Sequence, residues 1–439
     1  MRSLGDDQAA EADAERWPVE RLAAWQLDRL CEVIDFARKE TPFYRRLWSE
    51  HDLTARKLER LEDLKHFPIT TKEDLLRGGS ADPTPGEGPV GFSTRGTSGK
   101  PLVVWLSAEE EEVYVRPTMR GFRWAGLKKG MTALLTSPVW HRLAACEAHA
   151  VARIGGRCAF FWGSILNPRH VESFLRTLDE VRPEFVTTTA PFLFWLVRHL
   201  ESAGNSHAGA LRNVAAIVVV GLPLTPRLRE HLCQRLEVGD IFERGGTQEG
   251  AALDECAVHS APHVHEDVCY LEVVDPQGRP VPAGRRGNLV VTKLASAGSI
   301  FVRYNTGDIA AFVPGRCPCG SSFRRLKIYG RPESSVEVAG KTIAAYDVRL
   351  CLEEDQTLVG RNLLLVREGV QSPQRLLVAV EGAGLNTEEL ERLLCDRLGL
   401  PGAKIMWLGD IRVRWGFREV LDRRELRSMG LNDSRENRR

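Results

Sequence analysis

The chain is 439 residues long and carries 60 Lys and Arg against 59 Asp and Glu, a balance that removes the electrostatic case for a nucleic-acid or anionic-membrane partner. No apolar run approaches the roughly 20 residues that cross a bilayer, and the acidic start MRSLGDDQAAEADAER lacks a signal-peptide core. The expected location is the cytoplasm, where ten cysteines, most of them single among apolar residues, suit reduced thiols better than a disulfide framework.

A chain of this length calls for two or three domains. Apolar residues recur at helical spacing from Val19 to Tyr44, which predicts an amphipathic helix stopped by Thr41 and Pro42. ITTKEDLL (Ile69 to Leu76) has the form of a capped helix start, and PGEGPVGFSTRG after it reads as loop. Short apolar runs then alternate with helix-length segments: MTALLTSP, RCAFFWG, EFVTTTA, AAIVVVG and DIFERGG against HVESFLRTLDEV, FLFWLVRHLESAG and TPRLREHLCQRL. That rhythm predicts a largely parallel sheet wrapped by helices. CYLEVVD, GNLVVTKL and FVRYNTGDIAAF, separated by turn signals, predict a smaller β subdomain. After Gly330-Arg331-Pro332 come SSVEVAG, a helix around Tyr346 to Glu354, strands NLLLVRE and RLLVAVEG, a helix at Thr387 to Leu398, then KIMWLGD and IRVRW, the pattern of a small α+β unit.

The most informative run is STRGTSGKP, Ser93 to Pro101. Two glycines, four hydroxyl side chains, an arginine and a lysine in nine residues suit a loop folding around phosphate oxygens, because glycine lets backbone N–H groups approach and the side chains add donors and positive charge. It is not the Walker pattern, since Gly96 and Gly99 are too close and no Ser or Thr follows Lys100. A second constellation lies downstream. Cys317-Pro318-Cys319-Gly320 is a tight thiol pair, and CAVHSAPHVHED upstream offers Cys256, His259, His263 and His265. A Cys-x-Cys pair with a distant Cys and His can supply the four soft or borderline ligands of a closed tetrahedral zinc site.

The order of the hydroxyl-rich loop, the alternating α/β body, YNTGD and the Gly-Arg junction resembles the adenylate-forming superfamily, specifically its phenylacetate-CoA ligase branch. The resemblance implies an α/β protein with a large N-terminal body of parallel sheets wrapped by helices (1–331), including a β subdomain at about 250–328, and a small mobile α+β C-terminal lid (332–439). It implies ATP and Mg²⁺ as cofactors, with Ser93, Thr94, Gly96, Thr97, Ser98, Gly99 and Lys100 as the phosphate loop. Gly246, Thr247 and Glu249 in GGTQEG fall on the family's magnesium-binding segment, Asp308 on the aspartate that accepts the ribose hydroxyls, Arg331 on the nucleotide-contacting arginine, and Glu333 on the hinge. VVVGLPL (Val218 to Leu224) lies where the family forms part of the acyl pocket and adenine wall, with Leu222 at a usually acidic position. In zinc-bearing members of the branch the metal set corresponds to Cys256, His263, Cys317 and Cys319, with His259 competing as fourth ligand and the zinc structural.

The implied reaction activates a small aromatic carboxylic acid as its acyl-adenylate and transfers it to coenzyme A or an acyl carrier protein, and family members often pair as homodimers. Two departures stand out. Gly245 occupies the place of the adenine-stacking aromatic, and Phe417 that of the C-terminal catalytic lysine, next to Arg418, whose guanidinium is wider and differently aimed than an ammonium. Phe417 opens other readings: acyl transfer between thioesters, ATP-driven joining to an amine or nitrite, or a non-catalytic binding partner. Trp140, Phe192, Phe194 and Trp195 suit either a flat substrate or plain core.

Overall fold

The structure is a computed structural model, and it describes residues 13–78, 90–93, 100–137, 142–202, 209–221, 223–295, 298–367, 373–382, 386–408, 420–422 and 424–425. The chain opens with α1 (Val19–Glu40) and α2 (Pro42–Glu50). Thr41 between them is extended. A proline lacks the N–H that would continue α1, yet its fixed φ suits the first position of a new helix. The stop expected at Thr41 and Pro42 is thus also a start. In α3 (Lys72–Gly78) the start is capped as the sequence suggests: the Thr71 hydroxyl and backbone N–H both donate to Asp74, at 2.6 and 3.0 Å.

The segment read as loop before the phosphate motif contains a strand. β1 (Val90–Ser93) pairs antiparallel with β2 (Val103–Leu106), from Val90↔Leu106 to Ser93↔Val103. Gly91 is opposite Trp105, where a Cβ would come within 3.0 Å of the indole. The glycine that looks like loop punctuation makes room for a ring.

After α4 (Ala108–Trp124) the α/β rhythm begins: β3 (Thr132–Leu135), α5 (Arg142–Ile154), β4 (Arg157–Phe160), α6 (Val171–Val181), β5 (Phe185–Thr189), α7 (Ala190–Ser202), β6 (Ala216–Val220), α8 (Pro226–Leu236), β7 (Asp240–Gly246), then β8 (Ala252–Asp254) and β9 (His263–Val264). They form a seven-stranded sheet in the order β4-β3-β5-β6-β7-β8-β9, parallel from β4 to β7 and antiparallel at the β8–β9 edge. The central strands are buried on both faces, as a parallel sheet covered by helices requires. Phe161, Phe174, Phe192 and Leu196 pack on one side, Phe122, Leu135 and Val151 on the other.

A four-stranded antiparallel sheet follows, built from β10 (Cys269–Val274), β11 (Gly287–Lys293), β12 (Tyr304–Phe312) and β13 (Leu326–Gly330) in sequential order. The N-terminal helices cover it, with Val33, Tyr44 and Trp48 against Leu271, Val291 and Phe301. The C-terminal part has its own core. The hairpin β14 (Ser335–Val338) and β15 (Lys341–Ala344) leads to α9 (Ala345–Leu352), β16 (Leu363–Arg367), β17 (Leu376–Glu381), α10 (Thr387–Leu398), β18 (Ala403–Leu408) and β19 (Val420–Asp422), with sheet order β18-β17-β16-β19. IRVRW lies outside the described residues. This unit docks on the body through polar contacts: Arg286 grips both oxygens of Asp347 (Nη1–Oδ2 2.7 Å), Arg227 donates to the Glu353 and Glu354 carbonyls, and Thr225 donates to the Glu353 carboxylate. No helix among the described residues is long and apolar enough to cross a membrane.

Arg303 holds the start of β12 in place. With φ of +47° and 2% exposure, it donates to both Glu272 oxygens at 3.0 and 2.9 Å and to the carbonyls of Lys65, Phe67 and Gly278. Arg303→Met would strand Glu272 as a buried, unpaired charge, so a loss of about 3–5 kcal/mol is expected. Urea unfolding checks it; a loss below about 1 kcal/mol would mean the pair is dispensable.

Candidate active site

A cleft of about 1440 Å³ opens at the C-terminal ends of the parallel strands, the place where open α/β sheets bind ligands. Thr189 from β5, Val220 and Gly221 at the end of β6, and Arg244 to Glu249 at the end of β7 form its floor. Tyr304 to Asp308 on β12, Lys327, Tyr329 and Gly330 on β13, and Arg331 just after it form a second wall. Arg367 and Asp422 of the C-terminal unit also reach it.

Ser93, the last residue of β1, lines this cleft. Lys100 is exposed. Thr94, Gly96, Thr97, Ser98 and Gly99 lie outside the described residues, as do Trp140, Leu222, Phe417 and Arg418. Phe192 and Trp195 are core: Phe192 packs edge-on against Phe174 at 5.1 Å and Trp195 at 6.2 Å, with Phe194 partly buried against the same cluster.

Glu249 is presented by a tight turn. Gly250 N–H bonds the Thr247 carbonyl, Thr247 N–H bonds the Ala251 carbonyl, and Gly246 enters at φ +152°, where a Cβ would lie 2.4 Å from the Ala251 oxygen. Only glycine lets the chain turn this closely. Loss of hydration pushes the Glu249 carboxyl above the ordinary range, against hydrogen bonds from its own N–H and Thr247, while Asp308 adds repulsion. The Tyr304 hydroxyl also bonds Glu249. Gly245 differs from Gly246: a Cβ there would meet Leu253 at ordinary van der Waals distance, 3.4 Å, so the backbone itself does not demand glycine.

Asp308 sits on β12, with Arg331 Nε 3.1 Å from its Oδ1. Burial raises its carboxyl too, opposed by Arg331 and Thr306. The structure therefore brings Ser93, Gly246, Thr247, Glu249, Asp308 and Arg331 to one cleft. It adds Tyr304, four residues before Asp308 on the same strand; an irregular register between Asn305 and Ile309 breaks the period-two alternation there, so strand parity could not have singled it out.

Cys256, His263, Cys317 and Cys319 converge, their ligand atoms all within 4.8 Å of one another. Cys256 Sγ is 3.7 Å from Cys317 Sγ, and Cys319 Sγ is 3.4 Å from His263 Nε2. Four ligands on a tetrahedron with Zn–S of about 2.3 Å would put sulfurs about 3.8 Å apart, so donor set and spacing fit zinc. His263 Nδ1 donates to the Phe323 carbonyl at 2.9 Å, which turns Nε2 to the thiols. His259, the competing ligand, is engaged elsewhere, 2.9 Å from Asp240 and 3.2 Å from Glu255.

Residues 93–298 match the family described as AMP-binding enzyme. The phenylacetate-coenzyme A ligase of Thermus thermophilus is 28% identical over 382 residues, 84% of each chain. That of Pseudomonas putida is 28% identical over 348 residues, 77% of this chain and 76% of that one. Among solved structures, 2-hydroxyisobutyryl-CoA ligase in its postadenylation state superposes with a TM-score of 0.81 at 20% identity, covering 96% of this chain and 93% of that one. The same enzyme in its thioesterification state gives a TM-score of 0.66 at 22% identity. The match to the AMP-binding enzyme family over residues 93–298 and these relatives make the chain similar to the adenylate-forming phenylacetate-CoA ligases.

Because the Glu249 carboxyl in the folded protein titrates above its ordinary 4.5, ionising it costs the ligand-free fold stability at higher pH, and this cost vanishes below 4.5, where folded and unfolded chains are both protonated. Glu249→Gln is expected to raise the melting temperature at pH 8 and to leave it unchanged at pH 4. A lower melting temperature at pH 8 would contradict the assignment of a destabilised carboxylate.

Proposed function

We propose that this protein is an AMP-forming ligase that activates a small aromatic carboxylic acid with ATP and passes the acyl group to coenzyme A. The observation that supports it most is that Ser93, Glu249, Asp308 and Arg331, far apart in sequence, line one cleft. In the first half-reaction a carboxylate oxygen attacks the α-phosphorus and pyrophosphate leaves. In the second the thiol sulfur attacks the acyl carbonyl, AMP leaves and the thiol proton passes to solvent. Chemistry of this kind depends on positioning and charge neutralisation.

Each residue has a role in this reading. Asp308 accepts the two ribose hydroxyls, whose donors match the oxygens of one carboxylate. Arg331 orients Asp308 and faces the nucleotide. Lys100, Thr94, Thr97 and Ser98 hold the terminal phosphates, and Arg418 supplies the cation that Phe417 does not. Two carboxylates raised above their ordinary range in one cleft fit a hard divalent cation: Glu249 would hold Mg²⁺, which neutralises phosphate charge when bound. Zinc at Cys256, His263, Cys317 and Cys319 would brace the β subdomain, since four protein ligands leave no open position.

Pyrophosphate release with a panel of aryl acids, ATP and Mg²⁺, followed by mass spectrometry after adding coenzyme A, tests the assignment. Release with at least one acid and formation of its thioester are expected. ATP binding without release for any acid would overturn adenylation, and a thioester formed only from another thioester would point to acyl transfer. Asp308→Ala should raise the KM for ATP about 10- to 100-fold, the worth of about 1.5–3 kcal/mol for a hydrogen bond to a charged group. For the metal, elemental analysis should find about one zinc per chain, lost in Cys317→Ser together with a lower melting temperature. A metal-free wild-type preparation with an unaltered melting temperature would remove zinc from the picture.

A further inference from the structure

The end of the cleft between α4 and α5 carries charged groups that the reaction above does not use. Arg244 stands on β7 one residue before Gly245 and lines the cleft, its side chain 9% exposed. Its Nη2 donates to Thr118 Oγ1 at 2.5 Å and its Nε lies 3.6 Å from Asp254 Oδ1. Nη1 is buried and has no hydrogen-bond partner among the described residues. Gly121 on α4 admits Asp254 to this place, since a Cβ there would overlap the carboxyl carbon at 2.2 Å.

Glu147 approaches from α5. Leu143 and Cys146 line the cleft, and Glu147 shares their helix face through i, i+3, i+4 spacing. It is 2% exposed. Burial lifts its carboxyl to about 7, opposed by Arg244 and by hydrogen bonds from Ser137 and Thr187. Oε2 is buried without a hydrogen-bond partner among the described residues. Ser137, Thr118 and Arg244 all face the cleft, so one end of the pocket is polar while Leu143, Ile165 and Leu166 give it apolar walls.

Resting on the reading of this cleft as one that activates a carboxylic acid, we propose that Arg244 and Glu147 select acids bearing a neutral hydroxyl or amine at the end remote from the carboxylate. A guanidinium N–H and a carboxyl oxygen left unmatched in a buried site are costly. A hydroxyl or amine satisfies both at once, accepting from Arg244 and donating to Glu147. A hydrocarbon terminus satisfies neither, and sites built to bond a polar substituent discriminate strongly against analogues lacking it. A second carboxylate is disfavoured, because Asp254 already pairs with the single guanidinium at this end.

The test compares kcat/KM for pyrophosphate release on matched pairs: phenylacetate with its 3- and 4-hydroxy and amino derivatives, benzoate with the same set, and hexanoate with 6-hydroxyhexanoate. At least one substituted acid is expected to exceed its parent by about 100-fold or more. Glu147→Gln should cut that ratio at least tenfold, with Arg244→Met acting in the same direction. Parents that match or outperform every substituted acid, or a ratio untouched by Glu147→Gln, would overturn the proposal. If no acid of either kind releases pyrophosphate, adenylation itself fails, and calorimetric binding of the same pairs to wild type and Glu147→Gln still decides this pocket: equal affinities count against it.

Discussion

Two carboxylates recessed in one cleft, with a single guanidinium between them, are the constraint on which the rest of this structure depends. Glu249 and Asp308 are each raised by burial, and Arg331 pairs with Asp308 while its charge also acts on Glu249. A fold with no ligand gains nothing from this arrangement. The excess of negative charge is a local instability that a nucleotide with its cation would relieve, the form that active-site destabilisation commonly takes. Rigid supports hold the two groups in place: the Gly246 turn for Glu249, and the clamp of Arg303 on Glu272 and the 65–70 segment for the strand that carries Asp308.

Behind the cleft, charge is handled differently. Arg244, Asp254, His265, Arg120 and Asp267 follow one another through contacts of 2.8 to 3.6 Å, and Trp124 stacks on His265 at 5.5 Å. Each charge in this ladder has a partner, which is what makes burial of so many ions tolerable. The ladder joins the inner end of the cleft to the strand that carries His263. A metal centre that braced this edge of the sheet would also steady the acyl-facing end of the pocket.

The C-terminal unit shows a third regime. Its core is its own, and it meets the body through Arg286–Asp347, Lys327–Tyr346, Thr225–Glu353 and Arg198–Glu381. Polar pairs of this sort exchange readily with water, whereas an apolar seam does not, and the Tyr329–Tyr346 edge contact at 6.1 Å adds the aromatic element of the interface.

Much of the α/β body was legible in the chain, because runs such as FVTTT and AIVVV are short, β-branched and bounded by turns. β1 was hidden by its glycines and α4 by a charged start and Pro117 inside it, features that read as loop until a partner strand or a packed neighbour is known. The residues for phosphate, ribose and cation stood out in sequence order, but whether they share a cleft is a matter of sheet topology. The choice between His259 and His263 shows the limit most clearly. Spacing admits both, and pairing of His263 beside Arg325, at the strand next to the Cys317 turn, brings that ring to the thiols while His259 turns to Asp240. Local chemistry, the periodicity of apolar residues and the donor types available, was determined by the sequence itself. Which donors meet, which rings become core and which charges remain unpaired at a pocket's end was decided only by tertiary structure, because those outcomes depend on strand register and burial between segments far apart in the chain.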